Sequence, residues 1–321
     1  MRLARHLVGA GALVLSLAAI TPASATDKLT MTVGQRGNWD TAVLELGEKA
    51  GIFKKYDFEL NIIYTSGSGE TLQPVVSGNA EMGFAVGTLG AMAAYSKGAP
   101  VRIIGAQATG AADYWYAKTE SGIKSLKDAN GHSIAYSTNG SSTNSVVRAF
   151  INEFKLDVKP QATGNPSATL TQVMTNQVDI GWASPPFGLK ELNEGKINIV
   201  ARATDSALVR GQTIRVIVAN AEALAKNKAM IERFMQAYRE AIDYMYSPNP
   251  QVIKDYAAFV KVAEPMAKRV RDDFFPKSLV DPDTIHGLDS LMAEAVSLKF
   301  IPAPLTQAQL AEFIQIPPRK K

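Results

Sequence analysis

Four apolar strands, each followed by a loop of small polar residues, occupy residues 29 to 110 and constrain the fold more than any other feature. The predicted strands are residues 29–33, 58–64, 81–86 and 101–106. Apolar stripes at helical spacing follow the loops, for example Val43, Leu44 and Leu46 after the first one. Strands that alternate with helices in this way predict an α/β fold, in which a parallel sheet has helices on both faces.

The loops at the ends of these strands share a composition, in which Gly, Ser, Thr, Gln and Asn are frequent and acidic residues are rare. They cover residues 34–38, 65–69, 87–88 and 107–110. In an open α/β sheet, ligands bind outside the carboxyl ends of the strands, where such loops lead into helices. The four loops therefore predict one ligand site along a single edge of the sheet.

A second series of elements begins with the stretch Gly131–Phe154, GHSIAYSTNGSSTNSVVRAFINEF. It predicts a strand at 132–137, followed by a turn and a helix. Five small residues, 139–143, lie at the start of that helix, where free backbone N–H groups and the helix dipole favour an anionic or strongly polar group. The alternative is that Ser141 or Ser142 simply caps the helix.

Two further strands, 113–117 (DYWYA) and 214–219 (IRVIVA), stand on either side of this second series. Beyond residue 220 the pattern becomes helical, with stripes of Met and aromatic residues at a spacing of three and four. Such stripes predict core packing and not contacts to a cofactor.

The first 25 residues have the pattern of a cleavable secretory signal peptide. Arg2 and Arg5 precede an apolar run at 7–20, and Ala23-Ser24-Ala25 is a small-x-small cleavage site. The apolar run is too short to span a bilayer. We therefore expect a soluble mature protein outside the cytoplasm. Because the sequence contains no cysteine, we expect no lipid anchor on a Cys.

Removal of the signal peptide leaves 321 − 25 = 296 residues, enough for about two domains. The sequence has 34 Lys and Arg and 30 Asp and Glu; without Arg2 and Arg5 the balance is 32 − 30 = +2. So small a net charge gives no reason to expect nucleic-acid binding.

Motifs of catalysis are missing from the sequence. It has no G-x-S-x-G elbow, no Walker loop and no G-x-G-x-x-G turn after a strand. His132 and His286 have no metal-binding or triad partner at motif spacing, and the lack of cysteine excludes disulfides, thiolate metal sites and a Cys nucleophile. We therefore expect no catalytic residue, no metal site and no cofactor.

Several short motifs occur in an order and at a spacing that resemble a known family. They are VGQRGN at 33–38, YTSGSGET at 64–71, SGNAEMGF at 77–84, IKSLKD at 123–128 and the stretch 131–142. The chain resembles periplasmic solute-binding proteins of ATP-driven (ABC) importers, in the group that includes the nitrate, taurine, aliphatic-sulfonate and thiamine-precursor binding proteins. The similarity covers nearly all of the mature chain up to its helical end.

The resemblance implies the type II periplasmic binding protein fold, in which two lobes close on a ligand by hinge motion. Lobe 1 would comprise residues 26–112 and 220–321, lobe 2 residues 118–212, and the hinge segments residues 113–117 and 213–219.

The resemblance also implies the residues that contact the ligand. Those of lobe 1 are Gln35, Arg36, Asn38, Trp39, Ser66, Gly67, Ser68, Gly87, Thr88 and Thr109, and those of lobe 2 are Ser137, Asn139, Ser141, Ser142, Thr143, Ser184 and Pro185. Arg36 and the helix start at 141–143 would hold an anionic group between them, and Trp39 would cover an apolar part of the ligand. Alternatives remain open: a solvated Arg36, a Trp39 that packs in the core, and serines that only cap helices.

One position departs from the family pattern. Sulfonate binders of this group often show an aromatic–acid–Pro run where this chain has Ala183-Ser184-Pro185. The missing acid weakens the case for a sulfonate in particular and for a cationic amine as the ligand.

The function implied by the resemblance is delivery of a small organic anion, such as a sulfonate or a carboxylate, to an ABC importer without chemistry. Its partners would be the permease and ATPase subunits at the inner membrane, and the protein would be a periplasmic monomer. Two alternatives are an enzyme of the same fold, from the menaquinone or thiamine-pyrimidine pathways, and the binding module of a sensor. The signal peptide and the lack of histidine in the predicted cleft loops weigh against the enzymes.

Overall fold

The protein forms two lobes, each built around a five-stranded mixed sheet with helices against it. The structure is a computed structural model that describes residues 26–320, so the predicted signal peptide lies outside the described residues. The predicted two-lobe α/β class is confirmed.

The strands and helices alternate along most of the chain. The strands are β1 (Asp27–Gly34), β2 (Phe58–Thr65), β3 (Met82–Gly87), β4 (Val101–Thr109), β5 (Tyr114–Lys118), β6 (Ser133–Tyr136), β7 (Lys159–Ala162), β8 (Ile180–Ala183), β9 (Ile197–Arg202) and β10 (Thr213–Asn220). The helices are α1 (Val43–Lys49), α2 (Ile52–Lys55), α3 (Ser68–Val76), α4 (Thr88–Ser96), α5 (Ser142–Phe154), α6 (Pro166–Met174), α7 (Leu189–Asn193), α8 (Ala221–Lys226), α9 (Lys228–Met245), α10 (Pro250–Val260), α11 (Glu264–Arg269), α12 (Leu288–Ser297) and α13 (Gln307–Phe313).

The sheet of lobe 1 has the strand order β2-β1-β3-β10-β4. β1 pairs in parallel with β2 over its whole length and with β3 on its other side. β10 runs antiparallel between β3 and β4. The sheet therefore differs from the purely parallel one predicted for the first four strands, because a strand from much later in the chain lies between the third and the fourth.

The sheet of lobe 2 has the order β7-β6-β8-β5-β9. β6 pairs in parallel with β7 and β8, whereas β5 is antiparallel to both β8 and β9. Since β6, β7 and β8 run in the same direction, the loops after them lie at one edge of the sheet, as the loops after β1, β2 and β3 do in lobe 1.

The two predicted hinge segments are each a complete strand inside one lobe. Residues 113–117 fall mainly in β5 of the second sheet, and 213–219 fall in β10 of the first sheet. The chain passes between the sheets just before each strand, at 110–113 and at 203–212. Hydrogen bonds to two neighbouring strands hold β5 and β10 in place.

The helical second half packs its predicted stripes into the core. Phe234, Tyr238 and Ile242 of α9 are at most 3% exposed, and the helix lies against α1. Phe234 stacks on Phe53 with ring centroids 5.5 Å apart. These contacts confirm that the stripe is core. Across residues 26–320, no helix has both the length and the apolar character required to cross a membrane.

Candidate ligand site between the lobes

The loops at the facing edges of the two sheets are in direct contact. A Cβ atom at Gly87 would lie 2.7 Å from the carbonyl oxygen of Gly140, and one at Gly90 would overlap the same oxygen. A Cβ atom at Gly67 would lie 2.6 Å from Oγ1 of Thr138. Real Cβ atoms do not approach this closely, so the absence of a side chain at the lobe 1 glycines is what lets the loops meet.

The start of α5 forms the lobe 2 side of this contact. Ser141 is the N-cap, and its Oγ accepts a hydrogen bond from the backbone N–H of Asn144 at 3.1 Å. Oγ1 of Thr143 accepts from the backbone N–H of Ser137 at 2.9 Å. These side chains are buried and bonded within their own lobe, which orders the turn that precedes the helix.

Arg215, on β10, links both lobes beneath the loops. Its Nη1 donates to Asp40 at 2.8 Å, its Nη2 donates to Asp113, and its Nε donates to Oγ of Ser142 at 3.0 Å. All of these residues are at most 6% exposed. Two carboxylates thus share one guanidinium, which uses all three of its nitrogen atoms to fix lobe 1, the crossing segment and lobe 2 against one another.

Burial and charge act in opposite directions within this cluster. Burial alone would lower the pKa of Arg215, but the charges of Asp113 and Asp40 raise it above its ordinary value, so the arginine stays charged. Burial raises the pKa of Asp40, and the attraction of Arg215 offsets part of that effect.

Several buried polar atoms around this cluster have no hydrogen-bond partner within residues 26–320. They are Oε1 of Gln35, both side-chain polar atoms of Asn38, Oδ1 of Asp40, Oδ1 of Asp113 and Oγ of Ser184. Buried polar groups without partners are rare in folded proteins because each costs about 1–3 kcal/mol. Such unpartnered atoms at the facing edges are typical of a site that binds something polar.

An open pocket of about 310 Å³ lies at the outer end of the same contact, with walls from both lobes. Lobe 1 contributes Arg36, Tyr64, Thr65 and Ser66, and lobe 2 contributes Asn165, Pro166, Ser167 and Phe187. The volume is at the lower end of the range of about 300–1,000 Å³ for small-molecule sites.

Arg36 is the cation of this pocket. Its guanidinium lies 4.1 Å from the ring centroid of Phe259 and 5.6 Å from that of Tyr64, and Nη1 donates to the carbonyl oxygen of Phe259 at 3.2 Å. Unlike Arg215, it contacts no carboxylate within 4.0 Å among the described residues. Arg36 is exposed, so aromatic contacts hold its charge in place at a surface that a ligand can reach.

Helix α6 begins on the opposite side of the pocket. Asn165 is its N-cap and accepts from the backbone N–H of Ala168 at 2.9 Å, and Pro166 occupies the first turn. The backbone N–H groups of Ala168 and Thr169 are bonded to Asn165, so the partial positive charge of this end comes from the helix dipole and the N–H group of Ser167. The pocket therefore combines a full positive charge from lobe 1 with a partial one from lobe 2.

Comparison with protein families shows to which family the chain belongs. Residues 38–251, more than half of the sequence, match the profile of the NMT1/THI5 like family. The chain belongs to the NMT1/THI5 like family. The resemblance seen in the sequence is confirmed, although no curated protein sequence matches the chain.

Solved periplasmic binding proteins share the fold of this NMT1/THI5 like protein. The alkanesulfonate-binding protein SsuA from Xanthomonas axonopodis pv. citri, bound to MOPS, is 15% identical with a TM-score of 0.75 and covers 90% of this chain and 98% of its own. SsuA from Escherichia coli is 18% identical with a TM-score of 0.69, covering 91% and 94%. The nitrate-binding protein NrtA from Synechocystis PCC 6803 is 13% identical with a TM-score of 0.69, covering 89% and 85%. Identities this low establish the fold alone.

All but two of the predicted contact residues of the NMT1/THI5 like chain, Trp39 and Pro185, fall into three groups. Arg36 and Ser66 line the open pocket, while Gln35, Asn38 and Ser184 carry the unpartnered buried atoms. The third group is bonded within the protein or forms the contact between the lobes, and consists of Gly67, Ser68, Gly87, Thr88, Thr109, Ser137, Asn139, Ser141, Ser142 and Thr143. Pro185 is buried in the loop after β8. Whether each touches a ligand remains a prediction.

Trp39 lies in the core of lobe 1. It is 0% exposed, its ring packs edge-on against Tyr256 with centroids 4.7 Å apart, and its Nε1 donates to the hydroxyl of Tyr246 at 2.9 Å. The indole is therefore fully used by packing, which was the alternative interpretation of this residue.

Sequence reasoning missed the residues that join the lobes and complete the pocket. Asp40, Asp113 and Arg215 are far apart in the chain, and no motif connects them. Asn165 is not among the predicted contact residues, although the loop after β7 follows the same strand–loop–helix pattern as the others. That shared pattern was the available signal. Within residues 26–320, no cluster of His, Asp or Glu has the geometry of a metal site.

Proposed function

We propose that this protein is an extracytoplasmic solute-binding protein that delivers a small organic anion to an ABC importer. It would reach the periplasm by a cleavable signal peptide, without a lipid anchor, and act as a monomer on a permease and its ATPase. It would bind and release its ligand without chemistry. Fold and family support the solute-binding function, and the pocket supports the anion.

The observation that carries the anion is the placement of Arg36. Its guanidinium faces a pocket whose other wall is the start of α6, so both lobes contribute positive charge to one place. Hydroxyl groups of Ser66 and Ser167 line the same pocket and could donate further hydrogen bonds. Tyr64 and Phe187 supply apolar surface for a hydrocarbon or aromatic part of the ligand.

Arg215 is a poorer partner for the anion, although it is buried at the centre of the contact between the lobes. Its nitrogen atoms already bond Asp40, Asp113 and Ser142, and the two carboxylates would repel an anion. We therefore place the charged group of the ligand at Arg36 and regard the Arg215 cluster as the part that holds the lobes together.

A ligand screen of the mature protein tests the proposal. Aliphatic and aromatic sulfonates, carboxylates and nitrate would be compared with neutral and cationic analogues of matched size by thermal shift, then by calorimetry. A ligand at a hundredfold excess over its Kd stabilises by about 2.7 kcal/mol, which is readily seen. We expect the anions to bind, with an affinity that depends on Arg36; binding restricted to neutral or cationic compounds would contradict the proposal.

Substitution of one arginine connects the binding to the pocket. Arg36→Gln should weaken binding of the anion found in the screen at least tenfold, because the substitution removes a charge-assisted hydrogen bond. Arg319→Gln is the matched control: this arginine pairs with Asp283 and lines no part of the pocket. Equal affinity of wild type and Arg36→Gln would remove Arg36 from the site.

A further inference from the structure

A second groove lies between the lobes, away from the Arg36 pocket. It has a volume of about 270 Å³ and shares no lining residue with that pocket. Its walls are α5 of lobe 2, with Ala149 and Asn152, and α12 of lobe 1, with Glu294 and Ser297; Leu208 of the crossing segment closes one side. Neither the predicted contacts nor the proposed function uses this groove.

Glu294 is the unusual residue of the groove. The side chain lines the groove, yet the residue is only 6% exposed, and its Oε1 has no hydrogen-bond partner within residues 26–320. A buried carboxyl group without a partner is costly, and an opposite charge is what relieves that cost most effectively.

The charged groups that pack around Glu294 provide no such partner. Glu153 on α5 is acidic and repels it, and the side chain of Gln212 lowers the pKa of Glu294 by hydrogen bonding but is neutral. Arg148, also on α5, is held elsewhere: its Nη1 donates to the carbonyl oxygen of Leu298 at 3.2 Å, and its guanidinium lies 5.5 Å from the ring of Phe300. None of these groups therefore offers the carboxyl group a positive charge, and because Oε1 is itself buried, the side chain would have to turn towards the groove to meet a cation from outside the protein.

We propose that this groove is a second ligand site, which binds a small organic ammonium ion with its charged nitrogen at Glu294 and its hydrocarbon part against Ala149, Leu208 and Leu298. The groove is smaller than most drug-sized sites, which limits the ligand to a short amine. Because α5 and α12 belong to different lobes, the amine binds the arrangement in which the lobes touch.

Calorimetry with n-butylammonium tests the site directly, with n-butanol as the neutral analogue of the same length. We expect the ammonium ion to bind the wild-type protein and n-butanol to bind at least tenfold more weakly. Burial raises the pKa of Glu294 to about 7, so binding at neutral pH should displace protons. The measured enthalpy should then depend on the ionisation enthalpy of the buffer.

Three variants separate the groove from general effects. Glu294→Gln should lose at least tenfold in affinity together with the proton release, and Ser297→Trp, at an exposed position of the rim, should block the groove. Glu222→Gln, whose side chain is 77% exposed on α8, is the control. The proposal is overturned if the wild-type protein does not bind the ammonium ion, if n-butanol binds equally well, or if Glu294→Gln and Ser297→Trp both bind like the wild type.

Dependence on contact between the lobes has its own test. Gly90 lies outside the groove, but the Gly90→Ala substitution would obstruct the close approach of the lobes. The substitution should therefore weaken binding of the ammonium ion as well. Unchanged binding in that variant would show that the groove does not require the lobes to touch and would overturn this part of the proposal.

Discussion

Nε of Arg215 lies 3.0 Å from Oγ of Ser142, and this hydrogen bond joins a strand of lobe 1 to the first turn of a helix in lobe 2. Arg215 is held rigidly by two carboxylates, so it presents its remaining donor in a fixed direction. Ser142 meets that donor only when the lobes are in contact. This hydrogen bond thus stabilises the closed arrangement of the two lobes and does not contribute to the folding of either lobe alone.

Removal of the Ser142 hydroxyl should therefore affect ligand binding more than folding. In Ser142→Ala the closed form leaves a buried charged donor unpaired, which destabilises that form by about 1–3 kcal/mol. This free energy corresponds to a fivefold or greater loss of ligand affinity. Unfolding of the free protein should change by less than about 0.5 kcal/mol, because open lobes let water reach Arg215. Calorimetry with the selected anion and urea unfolding measure the two effects.

Ser145→Ala is the control for this variant. Ser145 lies one turn further along α5, and its Oγ donates to the carbonyl oxygen of Ser141 in the same helix. A similar loss of affinity in both variants would mean that the bond to Arg215 has no special part in closure.

Loss of the Arg215 charge should destabilise the protein and make its stability depend on pH. Arg215→Gln leaves Asp40 and Asp113 buried without a cation, at a cost of about 3 kcal/mol at pH 7. The pKa of Asp40 is raised in the folded protein. Without the attraction of Arg215 this pKa rises further. A raised folded pKa favours the folded state at low pH, so the destabilisation relative to the wild type should shrink as the pH falls towards 5.

Urea unfolding at pH 5 and pH 7 measures this dependence. Arg102→Gln on β4 is the control, because Arg102 pairs with the exposed Glu312 and such a pair contributes about 1 kcal/mol or less. An equal cost at both pH values would contradict the assignment of the effect to the carboxylates.

Gly90→Ala should separate stability from closure. Alanine is favoured over glycine inside a helix by up to about 1 kcal/mol, so the variant should fold at least as stably as the wild type. Its Cβ would nevertheless overlap the Gly140 carbonyl oxygen. We expect at least a tenfold loss of affinity for the anion, and a larger radius of gyration by X-ray scattering when ligand is present.

Gly69→Ala provides the matched comparison on the neighbouring helix α3. A Cβ atom there would lie 3.8 Å from the carbonyl oxygen of Asn139, an ordinary contact distance. Its affinity should match that of the wild type. Weakened binding in this variant too would indicate that helix propensity, and not steric overlap, is responsible.

Glu294 should make the stability of the protein fall as the pH rises through neutrality. Burial raises its pKa to about 7, and proximity to Glu153 acts in the same direction. A group whose folded pKa is raised contributes stability below its unfolded pKa and loses it as the pH rises past the folded value. Stability should therefore fall by on the order of 2 kcal/mol between pH 5 and pH 8.

Comparison with Glu294→Gln isolates this contribution, since glutamine has nearly the same shape and no titratable proton. The variant should lose that part of the pH dependence, as measured by urea unfolding at several pH values. Curves of the same slope for both proteins would assign the effect to other groups.

Local patterns in the sequence predicted the strands, most helices and the edge of the sheets at which loops gather. β1, β2 and β3 fall within a few residues of their predicted positions, because alternation of strand and helix is a short-range signal. The position of β10 was not predictable in this way. Its partners β3 and β4 lie about a hundred residues earlier, and pairing at such distance depends on the whole fold.

The candidate site was predictable only in part for the same reason. Arg36 and Ser66 were found because both follow strands in loops of the expected composition. Arg215, Asp40 and Asp113 were not, because each is an ordinary charged residue until the fold places all three together. Trp39 was predicted as a contact but lies in the core, because its position at the start of a helix does not reveal which way its ring points.

The position of β10 also has a consequence for the order in which the chain can fold. This strand lies between β3 and β4, so the sheet of lobe 1 cannot join β4 to its other strands until the ribosome has passed Asn220. Lobe 2, by contrast, is complete in sequence by Arg202. The amino-terminal part of the nascent chain must therefore wait, with β4 unpaired and β3 lacking one neighbour, for a segment made after an entire lobe. A polypeptide that folds late can still be transported by an export pathway that accepts only unfolded chains.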